Sequence, residues 1–362
     1  MKLLATASLA AVLVAGSAAA GGLERSPQSM NILFEEGRYF EFGGSFGAPS
    51  VSGIGGALNP TPGVRSGNMT EDFLTFGAAY KADLNDQLSY AIIYDQPYGA
   101  DVFYPSTTGY AFAGSNADFT SHALTGVLQY NMDGGFSVYG GLRAQTIEAE
   151  ARVLILGGLG ADYSVTGDRD LAFGYLAGVA YEKPEIALRV ALTYQSEIEH
   201  ELDTLENGAL ASVTPIETPK SWNLEFQSGV AEDTLVFGSI KWAEWTAFDI
   251  APVAYVGAFG SPLVSFADDR ITYTLGVGRR LNEKWSVLGS LSHEKTTGSL
   301  TGNLGPTDGF TSVSLGAIYT KDNMKITGGL RYIDVGDATT TAAASFTGNT
   351  AIAAGMKVGF TF

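Results

Sequence analysis

The sequence of 362 residues contains no cysteine and only three histidines. Without cysteine the chain cannot form a disulfide, use a thiolate nucleophile or hold a metal through sulfur. His122, His200 and His293 are far apart in the sequence, which argues against a histidine-rich metal centre. Serine, histidine and aspartate all occur, but without the spacing of a nucleophile elbow. We therefore predict no catalytic residue, no metal site and no cofactor.

Charge is also scarce, because charged residues make up 16% of the chain against about 25% in an average protein. Lys and Arg number 21 and Asp and Glu 38, so the formal net charge is −17. This balance argues against a nucleic-acid partner, which needs a basic face. The apolar content of 45% and the mean hydropathy of +0.10 exclude a disordered chain. With 46 Gly and 17 Tyr, the profile is typical of a β-protein whose outer face contacts a medium less polar than water.

Long hydrophobic runs are missing beyond the first 20 residues. Those 20 residues combine Lys2, an apolar run from Leu3 to Val14 and the small residues Ala18-Ala19-Ala20. This is the pattern of a cleaved secretory signal peptide. The alternative, a transmembrane anchor, is disfavoured because the run is short for the ~20 residues of a spanning helix. We predict residues 1–20 as a signal peptide.

What the rest of the sequence does contain is alternation with a period of two. In the segment 136–145, Phe136, Val138 and Leu142 share one face, and Arg143 and Gln145 lie on the other. Successive side chains of a strand point to opposite faces, so such segments are strands with one apolar and one polar side. The apolar side is a protein core in a soluble sandwich and a lipid-facing surface in a membrane barrel.

The connections between these segments favour the barrel. Short polar links with turn chemistry occur at 84–86, 133–135, 182–184, 231–233, 282–284 and 321–323. They alternate with seven longer links near 51–69, 99–115, 151–167, 200–216, 250–262, 297–308 and 337–347. Six turns and seven loops join 14 strands, an even number, as in bacterial outer-membrane barrels. The last strand alternates from Ile352 to the terminal Phe362. Because an unpaired sheet edge is costly in lipid, the sheet must close on itself.

Several segments resemble the FadL-type (OMPP1/FadL/TodX) family of long-chain fatty acid outer-membrane transporters. They are Leu33–Gly37, Ile93–Ala100, Ser137–Arg143, Tyr181–Arg189, Thr218–Leu224 and Gly276–Arg280. The resemblance implies an all-β, 14-stranded antiparallel transmembrane β-barrel that is monomeric, spans residues 38–362 and is plugged by a short N-terminal hatch at residues 21–37. Those hatch residues lack the Asn-Pro-Ala motif often found in family members.

The resemblance also implies passive, gated uptake of long-chain fatty acids or similar hydrophobic compounds, with sideways exit into the bilayer through a gap at a kinked strand. Pro97 and Gly99 are the kink candidates, since proline removes a ladder donor and glycine weakens a strand. The alternative is that the strand simply ends at Gln96. Leu33 and Phe34, in the predicted hatch, are candidate ligand contacts.

Alternation places a set of charged side chains in the lumen, including Arg143 and Arg189. One interpretation is a mesh of salt bridges that packs the wall. The other is that a cation holds the carboxylate of the ligand, a role that suits the planar fork of arginine. For the second interpretation we select Arg143 and Arg189.

The expected partners are hydrophobic small molecules, outer-membrane lipid and lipopolysaccharide. The acidic run that includes Glu199, Glu201 and Asp203 is interpreted either as a solvated acidic face or as a site where divalent ions bridge to the phosphates of lipopolysaccharide. Two other functions stay open at this point. A general porin for small hydrophilic solutes needs an open lumen, and an aromatic hydrocarbon importer of the same family needs a different pocket shape. A further rival is an outer-membrane enzyme or adhesin, of which the enzyme is disfavoured because no catalytic set can be assembled.

Overall fold

The structure, a computed structural model, describes residues 23–56, 59 and 63–362. The predicted signal peptide and the first two residues of the predicted hatch lie outside these ranges. None of the helices in the described ranges combines the length and the apolar composition that a membrane crossing needs.

Fourteen antiparallel strand positions form one continuous sheet, and three of these strands are interrupted. Their bounds are β1 (Tyr39–Ser50), β2 (Phe73–Asp83), β3 (Leu88–Asp95 and Gly99–Phe103), β4 (Asn116–Asn131), β5 (Phe136–Ile155), β6 (Ala161–Lys183), β7 (Leu188–Gln195 and Ile198–Glu206), β8 (Leu210–Thr218 and Ser221–Ala231), β9 (Thr234–Ala243), β10 (Arg270–Arg280), β11 (Trp285–Glu294), β12 (Phe310–Lys321), β13 (Met324–Val335) and β14 (Asn349–Thr361). Each strand pairs with the next in the sequence.

The sheet closes because the last strand pairs with the first. The register between β1 and β14 runs from Tyr39 opposite Thr361 to Ser50 opposite Thr350. Closure leaves no sheet edge exposed between these two strands, as the hydrocarbon environment demands. The predicted all-β, 14-stranded antiparallel barrel is confirmed.

All six predicted short turns join strands where the sequence placed them. Three of the predicted outer loops are wrong in extent. In the predicted loop 99–115, residues Gly99–Phe103 form the second half of β3. Residues 151–167 and 200–216 are largely strand, because β5 continues to Ile155, β6 starts at Ala161 and β8 starts at Leu210. Inward side chains in these extensions, such as Val153 and Tyr163, pack in an apolar cluster. The alternation of inward and outward side chains therefore continues along β5 and β6 into the residues that were predicted as loops.

The two faces of the wall differ as the alternation predicts. On β5, Leu142 is 71% exposed whereas its neighbour Arg143 is 5% exposed. Other large apolar side chains that face outward include Leu74, Phe173, Leu315, Leu330 and Ile352. Polar side chains such as Gln129 and Thr193 are buried on the inner face. The outer face is therefore a hydrocarbon-facing surface and the inner face carries the polar groups.

The N-terminal segment 23–36 lies inside the barrel and contacts strands on opposite sides of it. Ser29 and Asn31 donate hydrogen bonds to the Glu225 carboxylate of β8 at 2.7 and 2.9 Å. Glu35 pairs with Lys325 of β13 at 3.1 Å. Residues Asn31–Phe34 form a 3₁₀ turn whose apolar side chains pack among inward residues near the turn end of the barrel. The segment therefore crosses the lumen, which is consistent with the predicted hatch; its action as a hatch stays a prediction.

Aromatic rings fill the lumen next to this segment. The ring of Tyr139 lies over Gly178, and the ring of Tyr39 lies over Gly359, so a Cβ atom at either glycine would collide with the ring. Phe34 meets Tyr139 edge-on, with 6.4 Å between ring centroids. These glycines let the inner wall hold large rings close to the backbone.

The outer end of the barrel carries a separate layer of small elements. Strands Gly53–Ile54, Ala338–Thr339 and Ser345–Phe346 form a three-stranded sheet. Strands Asp249–Ile250 and Val264–Ser265 flank a short helix, α1 (Val253–Phe259). An apolar cluster that includes Tyr104, Tyr110 and Phe346 joins this layer to the upper strands.

A charge on the outer face of the membrane band will destabilise the barrel. We expect Leu142→Arg to lower the free energy of unfolding by about 2–4 kcal/mol, the cost of a cation near the bilayer midplane. The matched control is Thr166→Arg, on an exposed outward position of the β6 extension, where little loss is expected. Denaturant unfolding in lipid vesicles measures both variants, and equal losses would contradict the orientation of the wall.

Candidate functional site

A cavity lies inside the barrel between the N-terminal segment and the outer layer. Its volume is about 1650 Å³, counted with the space open to solvent at its mouth. Leu23 and Arg25 line it from the N-terminal segment, and the rest of its lining is mainly apolar but includes the acidic residues Glu71, Asp101, Asp118 and Glu150. Apolar lining side chains include Met69, Phe73, Val102, Phe119, Leu202 and Ile333. Such a lining suits a ligand that is largely hydrocarbon.

Two arginines line this cavity, Arg25 from the N-terminal segment and Arg270 at the start of β10. Both are buried, with exposed fractions of 7% and 5%. The Nε atom of Arg270 is buried without a hydrogen-bond partner in the described structure. A buried donor without a partner costs free energy, so this group is available to an acceptor that enters the cavity.

Arg270 is held in place by Asp308 from the loop before β12. The guanidinium Nη1 donates to the Asp308 carboxylate at 2.7 Å. Burial alone raises the pKa of Asp308, but hydrogen bonds from the Gly298 N–H, from Arg270 and from the Thr297 N–H bring it below its usual range. The carboxylate therefore stays ionised and fixes one side of Arg270.

An outer groove continues the cavity towards solvent. It has a volume of about 810 Å³ and shares Leu263, Phe266 and Leu300 with the cavity. Its other apolar lining residues include Phe112, Val153, Tyr255 and Pro262. The groove therefore offers an apolar surface that leads from the outer layer to the interior.

Helix α1 stands beside this groove and is anchored by Glu206. The backbone N–H groups of Ala254 and Tyr255 donate to the Glu206 carboxylate at 2.9 and 3.2 Å. Burial alone raises the pKa of Glu206, but these bonds, together with those from Tyr163 and Ser212, lower it below its usual range. An ionised Glu206 thus fixes the start of the helix.

The wall of the barrel is interrupted between β2 and β3. The two strands pair only from Ala78 opposite Tyr94 to Asp83 opposite Ser89. Beyond that point β3 breaks, and its second half pairs with β4. Among the described residues, Phe73 to Gly77 of β2 have no ladder partner in β3. An opening follows this line, with Thr75, Ala78, Tyr94 and Gln96 in its lining.

The N-terminal segment fills the upper part of this interruption as a short strand would. Glu24 forms an antiparallel bridge with Tyr98. The Arg25 N–H donates to the Pro97 carbonyl, and the Gly99 N–H donates to the Leu23 carbonyl, both at 2.8 Å. Backbone groups that the broken ladder leaves unpaired are thereby satisfied.

Pro97 lies in the break and Gly99 begins the second half of β3. The strand therefore resumes after the proline, as the kink interpretation requires. Lower in the opening, the Gln96 side chain accepts a hydrogen bond from the Phe76 N–H at 2.7 Å. That these two residues form an exit gate stays a prediction.

The other sequence-predicted site residues lie below the cavity and do not line it. Arg143 bonds to Gln195 at 3.0 Å and to Asp95 at 3.3 Å. Arg189 donates to Asn31 at 2.7 Å, and its guanidinium carbon lies 4.5 Å from the centroid of the Phe34 ring. The two arginines contact the N-terminal segment or its neighbours, so their role in ligand binding stays a prediction.

Leu33 and Phe34 are buried in the apolar cluster at the turn end of the barrel. Neither residue belongs to the lining of the cavity, which Leu23 and Arg25 reach from the same segment. Their assignment as ligand contacts also stays a prediction.

Sequence reasoning missed the two arginines that do line the cavity. Arg25 is the sole cation between residues 21 and 37, a signal that was present but was not used. Arg270 shares the inward alternation of Thr272 and Thr274 on β10, so extending the period by one step identifies it. Among the described residues, no group of three or more histidines and carboxylates is placed to hold a metal ion.

Comparison with known proteins agrees with this architecture. The model of the outer membrane protein transport protein family (OMPP1/FadL/TodX) matches residues 61–338. No curated protein sequence matches the chain.

Solved structures are similar in fold at low sequence identity. A FadL homologue of Pseudomonas aeruginosa has a TM-score of 0.72 and 13% identity, over 91% of this chain and 92% of its own. The toluene transporter TodX of Pseudomonas putida has a TM-score of 0.67 and 13% identity, over 96% of both chains. The toluene transporter TbuX of Ralstonia pickettii has a TM-score of 0.63 and 13% identity, over 91% and 90%.

Since the family match extends over more than three quarters of the sequence and the closed 14-stranded barrel is the fold of these transporters, the chain belongs to the OMPP1/FadL/TodX family of outer-membrane transport proteins.

Proposed function

We propose that this protein takes up long-chain fatty acids, or similar hydrophobic molecules that carry a carboxylate, across the outer membrane by passive diffusion. One observation carries the proposal: an apolar cavity with two buried arginines ends at the segment that closes an interruption in the barrel wall. A ligand with a long apolar part and one anionic head matches both features of the cavity.

Uptake begins at the outer groove. Its apolar side chains bind the hydrocarbon part of the ligand, since burying apolar surface stabilises by about 25 cal/mol per Å². Residues shared with the cavity, such as Leu263 and Leu300, then let the ligand move inward without returning to water.

Inside the cavity the carboxylate needs a cation, because a buried charge without a partner is strongly disfavoured. Arg270 offers the buried Nε donor that has no partner in the described structure. Arg25 offers a second guanidinium on the opposite, N-terminal side of the cavity. Charge-assisted hydrogen bonds to either one stabilise the bound head group.

Exit is sideways, through the opening between β2 and β3. The opening borders the lipid-facing residues Phe42, Phe76 and Met356 as well as the N-terminal residues Ser26 and Pro27. When residues 23–26 leave the edge of β3, the cavity connects to the bilayer, where the ligand is soluble. Pro97 and Gly99 keep this edge free of β2.

Arg143, Arg189, Leu33 and Phe34 have a supporting role in this proposal. Arg143 bonds to Asp95, which also accepts a hydrogen bond from Ser26 at 2.8 Å. Arg189 and Phe34 hold the lower part of the N-terminal segment. These residues contact a ligand only if it passes below Leu23, and they otherwise keep the segment in the lumen as a hatch.

Two alternatives remain distinguishable. An aromatic hydrocarbon importer is supported by the relatives TodX and TbuX, which are toluene transporters, but a neutral ring makes no use of the two arginines. A general porin needs an open lumen, whereas segment 23–36 crosses it here.

We further propose that the protein is a monomer in contact with membrane lipid. We also propose that divalent ions bridge outward acidic side chains, such as Glu199, Glu201 and Asp203, to lipopolysaccharide.

The direct test is oleate uptake by a Gram-negative host that lacks its own transporter. Expression of this chain is expected to restore uptake, because the cavity and opening supply a path for a carboxylate-bearing hydrocarbon. Proteoliposomes containing the protein are expected not to swell in sugar solutions. Absence of rescue despite normal surface expression contradicts the fatty-acid assignment, and sugar-driven swelling supports the porin.

Removing Arg270 from the cavity should weaken the binding of carboxylate-bearing ligands selectively. We expect Arg270→Gln with Asp308→Asn, which neutralises the buried pair together, to weaken oleate binding about tenfold, the value of one charge-assisted hydrogen bond. Binding of oleyl alcohol should not change. The matched control is Arg331→Gln, a buried inward arginine bonded to Ser312 and outside the cavity lining. Equilibrium binding of both ligands in detergent is measured for the unmodified protein, the double variant and the Arg331→Gln control. An equal loss of affinity for oleate and for oleyl alcohol in the double variant rejects a head-group role for Arg270.

Filling the opening should slow transport without affecting binding. Ala78 faces outward at the lining of the opening, so Ala78→Trp is expected to reduce the oleate uptake rate several-fold and to leave the affinity in detergent unchanged. Ala317→Trp, an outward alanine on β12 far from the opening, is the matched control. If both variants transport as the unmodified protein does, the ligand does not leave between β2 and β3.

A further inference from the structure

Arg25 is the one residue that lines both the cavity and the wall opening, when the lining residues of the two are compared within the described chain. It therefore stands between the site where a ligand is held and the route by which it leaves. Its contacts reach both sides.

The guanidinium of Arg25 closes the interrupted wall from inside. Nε donates to the Gly99 carbonyl at 2.8 Å, and Nη2 donates to the Asp101 carboxylate at 2.8 Å. The guanidinium carbon lies 3.3 Å from the centroid of the Phe73 ring of β2. One side chain thus joins the free edge of β3 to β2, in place of the missing ladder bonds.

The backbone of the same segment depends on this side chain. Leu23 to Ser26 bond to the β3 edge at Pro97 and Gly99. Each of these bonds is worth only about 0.5–1.5 kcal/mol net, and the segment is short. Releasing the guanidinium therefore removes a large part of what holds residues 23–26 in the wall.

We propose that Arg25 is a carboxylate-responsive latch: a ligand carboxylate in the cavity takes the guanidinium from Asp101 and Gly99 and so frees residues 23–26 from the wall. This inference rests on the proposed import through the cavity and adds the step that couples ligand arrival to opening. It also makes opening specific for anionic ligands, because a neutral hydrocarbon cannot compete with Asp101.

A ligand carboxylate can replace Asp101 as the partner of the Arg25 guanidinium without leaving either charged group unsolvated. The side-chain hydrogen bonds of Arg25 to described residues are donated by Nε and Nη2, so we infer that a carboxylate first binds Nη1 and then takes Nη2 in a bidentate pair. The Asp101 side chain is 32% exposed, so water can solvate it after release. Arg270 cannot perform this step, because Asp308 fixes it and it lies away from the opening.

The test uses a single cysteine introduced into a chain that has none. Ser26→Cys, at the opening, reports release of the latch through its rate of modification by N-ethylmaleimide in detergent. Ser29→Cys is the matched control, because Ser29 is bonded to Glu225 lower in the lumen. Oleate is compared with oleyl alcohol, which has the same chain and no carboxylate.

Oleate is expected to raise the modification rate at residue 26 about tenfold, the factor for one lost charge-assisted hydrogen bond. Oleyl alcohol should leave it unchanged, and residue 29 should not respond to either compound. With Arg25→Gln the rate at residue 26 should already be high and insensitive to oleate.

Asp101→Asn keeps the test valid if loss of Arg25 disturbs folding. In this variant the rate of N-ethylmaleimide modification at residue 26 without ligand should be higher, and oleate should still raise it. The matched control Asp162→Asn removes the partner of Arg152 in an exposed ion pair on the outer surface and should change neither rate.

The outcomes separate the latch from the function on which it rests. If oleate binds and is imported but the rate at residue 26 does not rise, or rises equally with oleyl alcohol, the latch is rejected and import stands. An equal rise at residues 26 and 29 also rejects it, because the whole segment then moves. If oleate neither binds nor enters cells, the proposed function itself is rejected.

Discussion

The pairing of every backbone N–H and C=O group in a hydrocarbon environment is the constraint on which the whole structure depends. It explains why β14 returns to β1 and why strand pairing runs almost unbroken around the barrel. It also gives meaning to the places where the pairing is interrupted: β6 and β7 have no ladder between the pairs Gly167–Thr204 and Leu176–Gln195, and β2 and β3 separate beyond Ala78. There the Leu23 carbonyl, the Arg25 N–H and the Gln96 side chain supply the missing partners. The interruption between β2 and β3 is therefore closed, in its upper part by the N-terminal segment and lower down by the wall residue Gln96.

Charge is placed under the same constraint. Arg152 and Arg169 form exposed ion pairs, but other cations lie on the inner face, where Arg143 pairs with Asp95 and Lys357 pairs with Glu41. Most of the inner pairs connect two strands of the wall, or a strand with the N-terminal segment. For most of the inward-facing charged side chains this supports the interpretation as a mesh of salt bridges. The cavity is the exception: Arg270 keeps an unpartnered donor towards an apolar space. A satisfied mesh stabilises the lumen, whereas an unsatisfied donor is a position for a ligand.

The strand number could be predicted from the sequence because turn residues and alternation are local properties. Leu142 and Arg143 alone orient β5, and the six short turns fix the count. The extensions of β5 and β6 could not be bounded in the same way, because apolar residues such as Val153 read equally as loop or strand until their packing is known. The cavity lining was missed for a related reason. Arg25 and Arg270 are 245 positions apart in the sequence, and only closure of the barrel and insertion of the N-terminal segment bring them to the same cavity. Arg143 and Arg189 point into the lumen as predicted, but they lie below the cavity.

The strength of this closure decides whether such a wall can open at all. A full ladder between β2 and β3 would need many simultaneous breaks, each leaving groups unpaired in lipid at several kcal/mol. The interruption is instead closed by a few hydrogen bonds from one short segment, and in the proposed opening that segment retreats into the polar lumen. The bond from Phe76 to Gln96 stays in place, because both residues belong to the wall. The proposed opening therefore costs a few net hydrogen bonds at about 0.5–1.5 kcal/mol each, and once a ligand carboxylate has replaced Asp101 as the partner of Arg25, thermal motion supplies this without an energy source.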